Sequence, residues 1–179
     1  MSSVVISGDT SGAITLSAPA VAGTNTATLP AATGTVMVSG NMPAFSAYQS
    51  SAQTISSGSF TKVQFQTKEW DTANCFDNAT NYRFTPNVAG YYQVNTEIHT
   101  NSSVSLRAIL VIYKNGSYGK WGSDTNAVNF SWSASALFYM NGSTDYLEVY
   151  FQQNSGTGQA LSDQQPYVNY FQASLVRAA

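Results

Sequence analysis

Residues 61–98, "TKVQFQTKEWDTANCFDNATNYRFTPNVAGYYQVNTEI", decide how this chain folds. Toward its end Tyr92, Val94, Thr96, Ile98 and Thr100 fall on one face, while Gln93, Asn95, Glu97 and His99 fall on the other. That period of two is the mark of a strand with one buried face. At its start, Phe60, Lys62, Gln64 and Gln66 alternate with Val63 and Phe65 and read as a second half-buried strand. Phe84 through Tyr92 reads as strand, turn, strand, with Gly90 supplying a backbone angle that other residues avoid.

The pattern continues downstream. "RAILVIYKNGSYGKW" (107–121) runs apolar from Ala108 to Tyr113 and then meets Asn115-Gly116, the strongest short hairpin signal. "SASALFYMNGSTDYLEVYFQQ" (133–153) repeats the device around Asn141-Gly142, and "YVNYFQASLVRA" (167–178) supplies a last strand after Pro166. No stretch joins helical periodicity to good helix formers. Short strands separated by Gly and Asn turns predict an all-β, antiparallel sandwich or barrel.

Upstream the character changes. From Thr10 to Thr61 there is no Asp, Glu, Lys, Arg or His, and a boundary falls at Pro43. The expected organisation is an N-terminal arm, residues 1–42, and a head, residues 43–179. The arm holds four short β-like pieces, "SVVIS", "AITLSA", "TATLP" and "TVMVS", with no aromatic and few large apolar side chains. At roughly 25 cal/mol per Å² of buried apolar surface, such a segment does not offset an ordering cost of about 1–2 kcal/mol per residue. It is therefore expected to order against another surface, through Ile14, Leu16, Val21, Leu29, Val36 and Val38.

Composition limits the chemistry. Of 179 residues only 9% are charged, and the net charge is -2. No basic face recruits nucleic acid or a membrane surface. No apolar run reaches the roughly 20 residues of a membrane span, so no membrane insertion is expected. The start, "MSSVVISGDTSG", has no basic leader and no long apolar stretch, which points to synthesis in a cytoplasm. Asn78-Ala79-Thr80 and Asn141-Gly142-Ser143 accordingly read as turns and not as glycan acceptors.

Catalytic constellations are equally thin. Cys75 is the single cysteine and His99 the single histidine, too few for a tetrahedral zinc site. His99 sits mid-strand beside Gln93, Asn95 and Glu97 and reads as a solvated or interface-lining residue, not a catalytic base. "G-x-S-x-G" and phosphate-binding loops are missing. Glu69, Asp71 and Asp77 cluster in "KEWDTANCFDN", but their spacing matches no EF-hand loop and they read as a solvated loop. No enzyme, cofactor or metal is expected, although paired carboxylates need only meet in space. Aromatics reach 13%, with eleven tyrosines. Tyr92, Tyr113, Trp121, Trp132, Tyr150 and Tyr170 are the candidates for a subunit interface or receptor contact, with Trp70, Tyr118 and Tyr167 beside loops.

From Pro43 onward the chain resembles the C1q-like head, the trimeric jelly roll of the tumour necrosis factor superfamily. "PAFSAY" (43–48) is similar to the family's first strand, and residues 61–98 to its most recognisable block, with Phe76, Phe84, Pro86, Gly90, Tyr91 and Tyr92 in order. "LVIYKNG" resembles the strand that ends in an Asn-Gly hairpin. In the terminal strand Ala173 stands where the family usually has glycine, and Gly142 and Asp145 are not adjacent as the family's turn has them. The resemblance implies a jelly-roll β-sandwich and a homotrimer.

The arm has no Gly-X-Y repeat. "ITLSAPAVAGTNTATLPAATGTVMVSG" instead resembles a segment recurrent in tailed-bacteriophage structural proteins. Together the two resemblances imply a non-enzymatic virion protein. One form is a capsid decoration or cement trimer on the outer surface of the virion, its arm on the major capsid protein or another virion protein and its head toward a host glycan or receptor. The alternative is a tail fibre or receptor-binding tip. About forty residues before the head reach at most about 140 Å and carry no shaft repeat, which favours decoration. A free carbohydrate-binding module is a third reading.

Overall fold

The computed structural model describes residues 3–29, 31, 33–34, 36–104, 106–162 and 166–179. The chain divides into two compact units, residues 1–34 and 35–179. In the first, β1 (Ser3–Ser7) and β2 (Ala13–Ser17) form a two-stranded antiparallel hairpin, with Val4 opposite Leu16 and Ile6 opposite Ile14. Of the four β-like pieces, these are the two that become strands. Thr26–Leu29 and Val36–Val38 are irregular, and Pro30 and Thr35 of the other two pieces lie outside the described residues.

The second unit opens with a single 3-10 turn, Ser39–Asn41, and Met37 packs against the head core. The Pro43 boundary thus falls inside this unit. Its strands begin with β3 (Ala44–Tyr48), β4 (Thr54–Ile55), β5 (Thr61–Lys62), β6 (Thr67–Asp71), β7 (Phe76–Asp77) and β8 (Arg83–Phe84). The long strands are β9 (Ala89–Val104), β10 (Arg107–Lys114), β11 (Ser117–Asn126), β12 (Asn129–Asn141) and β13 (Leu147–Gln153). The short β14 (Gln159–Ala160) and then β15 (Tyr170–Ala178) follow.

These strands build two facing sheets. One runs β12-β9-β15-β3-β6, the other β11-β10-β13-β8-β7 with β5 added on β13, and β14 pairs β4 at the side. All ladders are antiparallel. The result is the expected jelly-roll sandwich. The alternation of β9 is realised residue by residue: Tyr92, Val94, Thr96, Ile98 and Thr100 are buried, and their neighbours are not. The core is aromatic. Phe45 of the first sheet stacks on Phe76 and Phe84 of the second at 4.6 and 4.7 Å, and Trp132 meets Phe151 at 4.9 Å.

Turn chemistry explains the connections. Asn115 and Gly116 both have positive φ, 54° and 76°, so β10 and β11 close as a tight hairpin of the primed type. The Asn141-Gly142 region is not a hairpin. Asn141 Oδ1 accepts from the backbone N–H groups of Ser143, Thr144 and Asp145 and carries the chain from one sheet to the other. Two further expectations change. The strand foreseen around Phe60–Gln66 shrinks to Thr61–Lys62, although Val63 and Phe65 are buried as the pattern requires. Gly90 lies inside β9 without a left-handed angle and is needed for space: a Cβ there would come 2.7 Å from Leu175 Cδ1 and 3.0 Å from the Ala178 Cα.

Candidate functional site

Two outward sheet faces and one cleft carry the candidate chemistry. The cleft, about 440 Å³, lies beside Lys68, Asn74, Cys75, Asp77 and Arg83. Asp77, which lines it, and Asp71, which holds its Cys75–Phe76 wall, are both already hydrogen-bonded. Asp71 accepts from the backbone N–H groups of Cys75 and Phe76 at 2.9 and 3.0 Å and from Lys68 Nζ at 2.8 Å. Burial opposes its ionisation, but the Lys68 ammonium and the two N–H donors outweigh that and hold its carboxyl below the usual range. Asp77 ties its own turn through the N–H groups of Ala79, Thr80 and Asn81, and these bonds, Thr80 foremost, pull its carboxyl well down.

Glu69 accepts from Ser46 Oγ, and the Arg83 guanidinium lies 4.5 Å over the Tyr146 ring. Burial, then the neighbouring Asp71, push the Cys75 thiol up to about 12. Among the described residues no three His, Cys, Asp or Glu side chains gather as metal ligands.

The outward face of the five-stranded sheet is a carpet of amides and hydroxyls with aromatic edges. Ser131 Oγ donates to Glu97 Oε1 at 2.6 Å, and the Tyr170 hydroxyl reaches Glu97 Oε2 at 3.4 Å. Burial, then the charge of Glu97, raise the Tyr170 hydroxyl above its ordinary range. Ser135 Oγ donates to Asn95 Oδ1, and Gln93 Nε2 donates to Ser135 Oγ. Toward one end Tyr91 and Tyr139 pair at 5.5 Å beside exposed Leu137, and toward the other His99 stacks on Phe130. Its carboxylates, Glu97 and Glu69, are each already bonded to a protein hydroxyl.

The outward face of the six-stranded sheet gathers rings. Tyr150 stacks on Tyr113 at 4.0 Å, Tyr113 meets Tyr118 at 5.0 Å, and Tyr118 meets Trp121 at 5.9 Å. Phe60, carried by the loop before β5, lies against Tyr118 and Trp121 at 5.5 and 6.5 Å.

The six candidate aromatics therefore divide. Tyr113, Trp121 and Tyr150 come together here, and Tyr170 lies on the opposite sheet. Tyr92 and Trp132 are corrected: both are fully buried within the chain and have no surface to present to a partner. The Tyr92 hydroxyl donates to Val88 O, and Trp132 Nε1 donates to Thr125 Oγ1. Phe60 belongs to the cluster without having been foreseen, because a loop delivers it. Trp70 and Tyr167 stay exposed and separate. In the N-terminal unit and the segment after it, Ile14, Leu16, Val21, Leu29, Val36 and Val38 are all solvent-exposed, Val21 at 91%.

Comparison with known proteins fits this geometry. The sequence matches no family model and no curated protein. Solved structures do match. Murine APRIL superposes with a TM-score of 0.58 at 12% identity, over 75% of this chain and 99% of its own. The globular domain of zebrafish complement 1qA gives 0.52 at 18% identity, over 76% and 98%. Eiger TNF from S. frugiperda gives 0.52 at 12% identity, over 77% and 93%. The head has the jelly-roll fold of tumour necrosis factor and C1q.

Proposed function

We propose that this chain of TNF/C1q-type fold is a non-enzymatic structural protein of a tailed-bacteriophage virion. In this reading it forms a capsid decoration trimer, fixed by its N-terminal arm. The supporting observation is the β1–β2 hairpin. An isolated two-stranded hairpin is at best marginally stable in water. Here Val4, Ile6, Ile14 and Leu16 share one face, and each remains more than half exposed. Such a hairpin offers an apolar face and two unpaired strand edges to a partner, which fits attachment by strand addition.

The linking stretch from Ala18 to Pro43 spans at most about 90 Å when extended, so it holds the head near whatever the hairpin grips. Trimer formation is supported by the five-stranded face, which is poor in charge, internally hydrogen-bonded and edged by Tyr91, Leu137 and Tyr139. Burying such a face removes few ions from water. The non-enzymatic reading is supported by the cleft, whose carboxylates already brace its loops.

Copy number per particle, measured by quantitative mass spectrometry of purified virions, tests the assignment. Hundreds of copies match decoration. A few dozen or fewer match the alternative, a tail fibre or receptor-binding tip. Absence from virions refutes both. In the decoration case Ile14→Asp with Leu16→Asp abolishes incorporation while the head stays folded and oligomeric. Full incorporation of that variant removes the arm from the assignment.

A further inference from the structure

We propose that the outward face of the six-stranded sheet is a binding platform for a neutral carbohydrate chain, with Tyr118 and Trp121 as its stacking surfaces. The proposal deepens the reading of the head as the part that meets a host surface, and it concerns the purified protein whatever its place in the virion. The rings are arranged before any ligand arrives. Val111 beneath them is fully buried and Ile109 nearly so, which anchors the cluster on an apolar floor. Phe60 packs against Tyr113, Tyr118 and Trp121, and Tyr113 is held between Tyr118 and Tyr150. Packing accounts for Phe60, Tyr113 and Tyr150, which are partly covered. It does not account for Tyr118 and Trp121, which stay 59% and 50% exposed although neighbouring rings pack against them.

Size and charge choose the occupant. Two half-exposed rings of about 150–250 Å² each offer roughly 200 Å² of contact. A stable protein interface needs about 800 Å² per partner, about four times what these two rings offer, so the rings by themselves suit a smaller ligand. Sugar rings need only such an area. Their C–H faces carry partial positive charge that suits the negative face of an aromatic ring, and their hydroxyls find the tyrosine hydroxyls at the margin. Around the patch the charges cancel locally: Lys62 pairs with Glu148 at 2.5 Å, and Arg107 pairs with Asp124 at 2.7 Å. Lys120, which has no ion-pair partner among the described residues, sits opposite core-facing Ile112 and so on the other face of β11 from Tyr118 and Trp121. The paired charges on the ring face select neither an anionic nor a cationic ligand.

The test titrates the full-length protein with maltohexaose, cellohexaose and chitohexaose, using hexagalacturonate as the charged control. Tryptophan fluorescence and calorimetry provide the readout. At least one neutral chain is expected to bind with a dissociation constant below about 10 mM, and Trp121→Ala and Tyr118→Ala each weaken it at least about tenfold. Tyr118→Phe keeps the ring and stays within about threefold of the parent. Sedimentation of the same variants is expected to show the parental oligomer. The proposal is overturned if none of the three neutral chains binds, if Trp121→Ala binds as well as the parent, or if hexagalacturonate binds most tightly. It is also overturned if the ring variants dissociate the oligomer, since the face would then join copies of this chain. A loss of virion attachment with sugar binding intact would refute the arm assignment and leave this one standing.

Discussion

Gly90→Ala tests whether the two long ladders of the head meet as closely as the geometry requires. The new Cβ would sit 2.7 Å from Leu175 Cδ1 and 3.0 Å from the Cα of Ala178, with the Arg177 carbonyl oxygen closer still. The leucine tip can rotate away, but the β15 backbone cannot. Relief requires parting β9 from β15 where Gly90 faces Ala178 and where Ala179 N–H donates to Ala89 O at 3.0 Å. Overpacking of this kind costs about 1–3 kcal/mol, and one weakened ladder bond adds about 1 kcal/mol. Alanine also restricts the unfolded chain, which returns about 0.4–1 kcal/mol. The balance is a destabilisation of about 2 kcal/mol. With a guanidinium slope of about 2–4 kcal/mol/M, the midpoint falls by about 0.5–1 M at fixed protein concentration, followed through the buried Trp132. Gly58 is the control, because it has φ +89° and open space around its missing Cβ. Asparagine tolerates that angle, so Gly58→Asn stays near the parent and Gly90→Asn does not. A Gly90→Ala midpoint at or above the parent's would refute the close-approach argument.

Asp77→Asn weakens the turn that the carboxylate ties, costing about 1–2 kcal/mol near neutral pH in urea unfolding. Because the folded carboxyl lies below its unfolded value of 3.8, this contribution is present above that value and fades as pH falls through the folded one. The gap between parent and variant should therefore close in acid. Cys75, buried and with its thiol near 12, is expected to ignore a disulfide reagent at pH 8 until the protein is unfolded, as thiol-release absorbance would show. Asn115→Ala removes a left-handed residue of the β10–β11 turn and its bonds to Tyr146 N–H and the Asp145 carboxylate. A loss of about 1–2 kcal/mol is expected by thermal unfolding. Leu137→Asp places a charge on the five-stranded face and is expected to shift sedimentation toward a folded monomer, whereas an unchanged oligomer would move the interface elsewhere.

The strands legible in the sequence were those whose faces differ. β9 shows its alternation because one side meets Phe84 and Phe171 and the other meets solvent, and Asn115-Gly116 declares its hairpin because few other pairs tolerate two left-handed residues. Asn141-Gly142 shows the same local chemistry with another outcome. β12 belongs beside β9 and β13 beside β10, and nothing in a turn says which sheet its strands will join. Gly90 misled for a related reason, since a glycine chosen for space looks the same in sequence as one chosen for angle. Among the aromatics, parity already placed Tyr92 with Val94 and Ile98 on the core side. Tyr113, Trp121 and Tyr150 come from three different strands, and only the register of β10 against β11 and β13 brings them together. Phe60 carries the strand-like alternation of its neighbours, yet a loop before β5 delivers it, and alternation does not say which ring it will meet.

The scarcity of charge becomes intelligible once seven of the acidic residues are placed. Of the nine acidic residues, Asp71 and Asp77 brace the loops of the cleft, and Asp145 holds the sheet-crossing turn through Asn115 and Lys114. Asp124 and Glu148 balance Arg107 and Lys62 beside the aromatic patch. Glu69 and Glu97 are bonded to hydroxyls on the five-stranded face. Each of these seven carboxylates has a partner within the protein. Surfaces freed of charge lose little when water leaves them, and that loss is the main penalty a wet, ionic face brings to assembly. A solitary soluble domain gains nothing from such faces and risks aggregation. In the proposed decoration trimer, covered by its own copies and by a shell, the same faces would be the working parts.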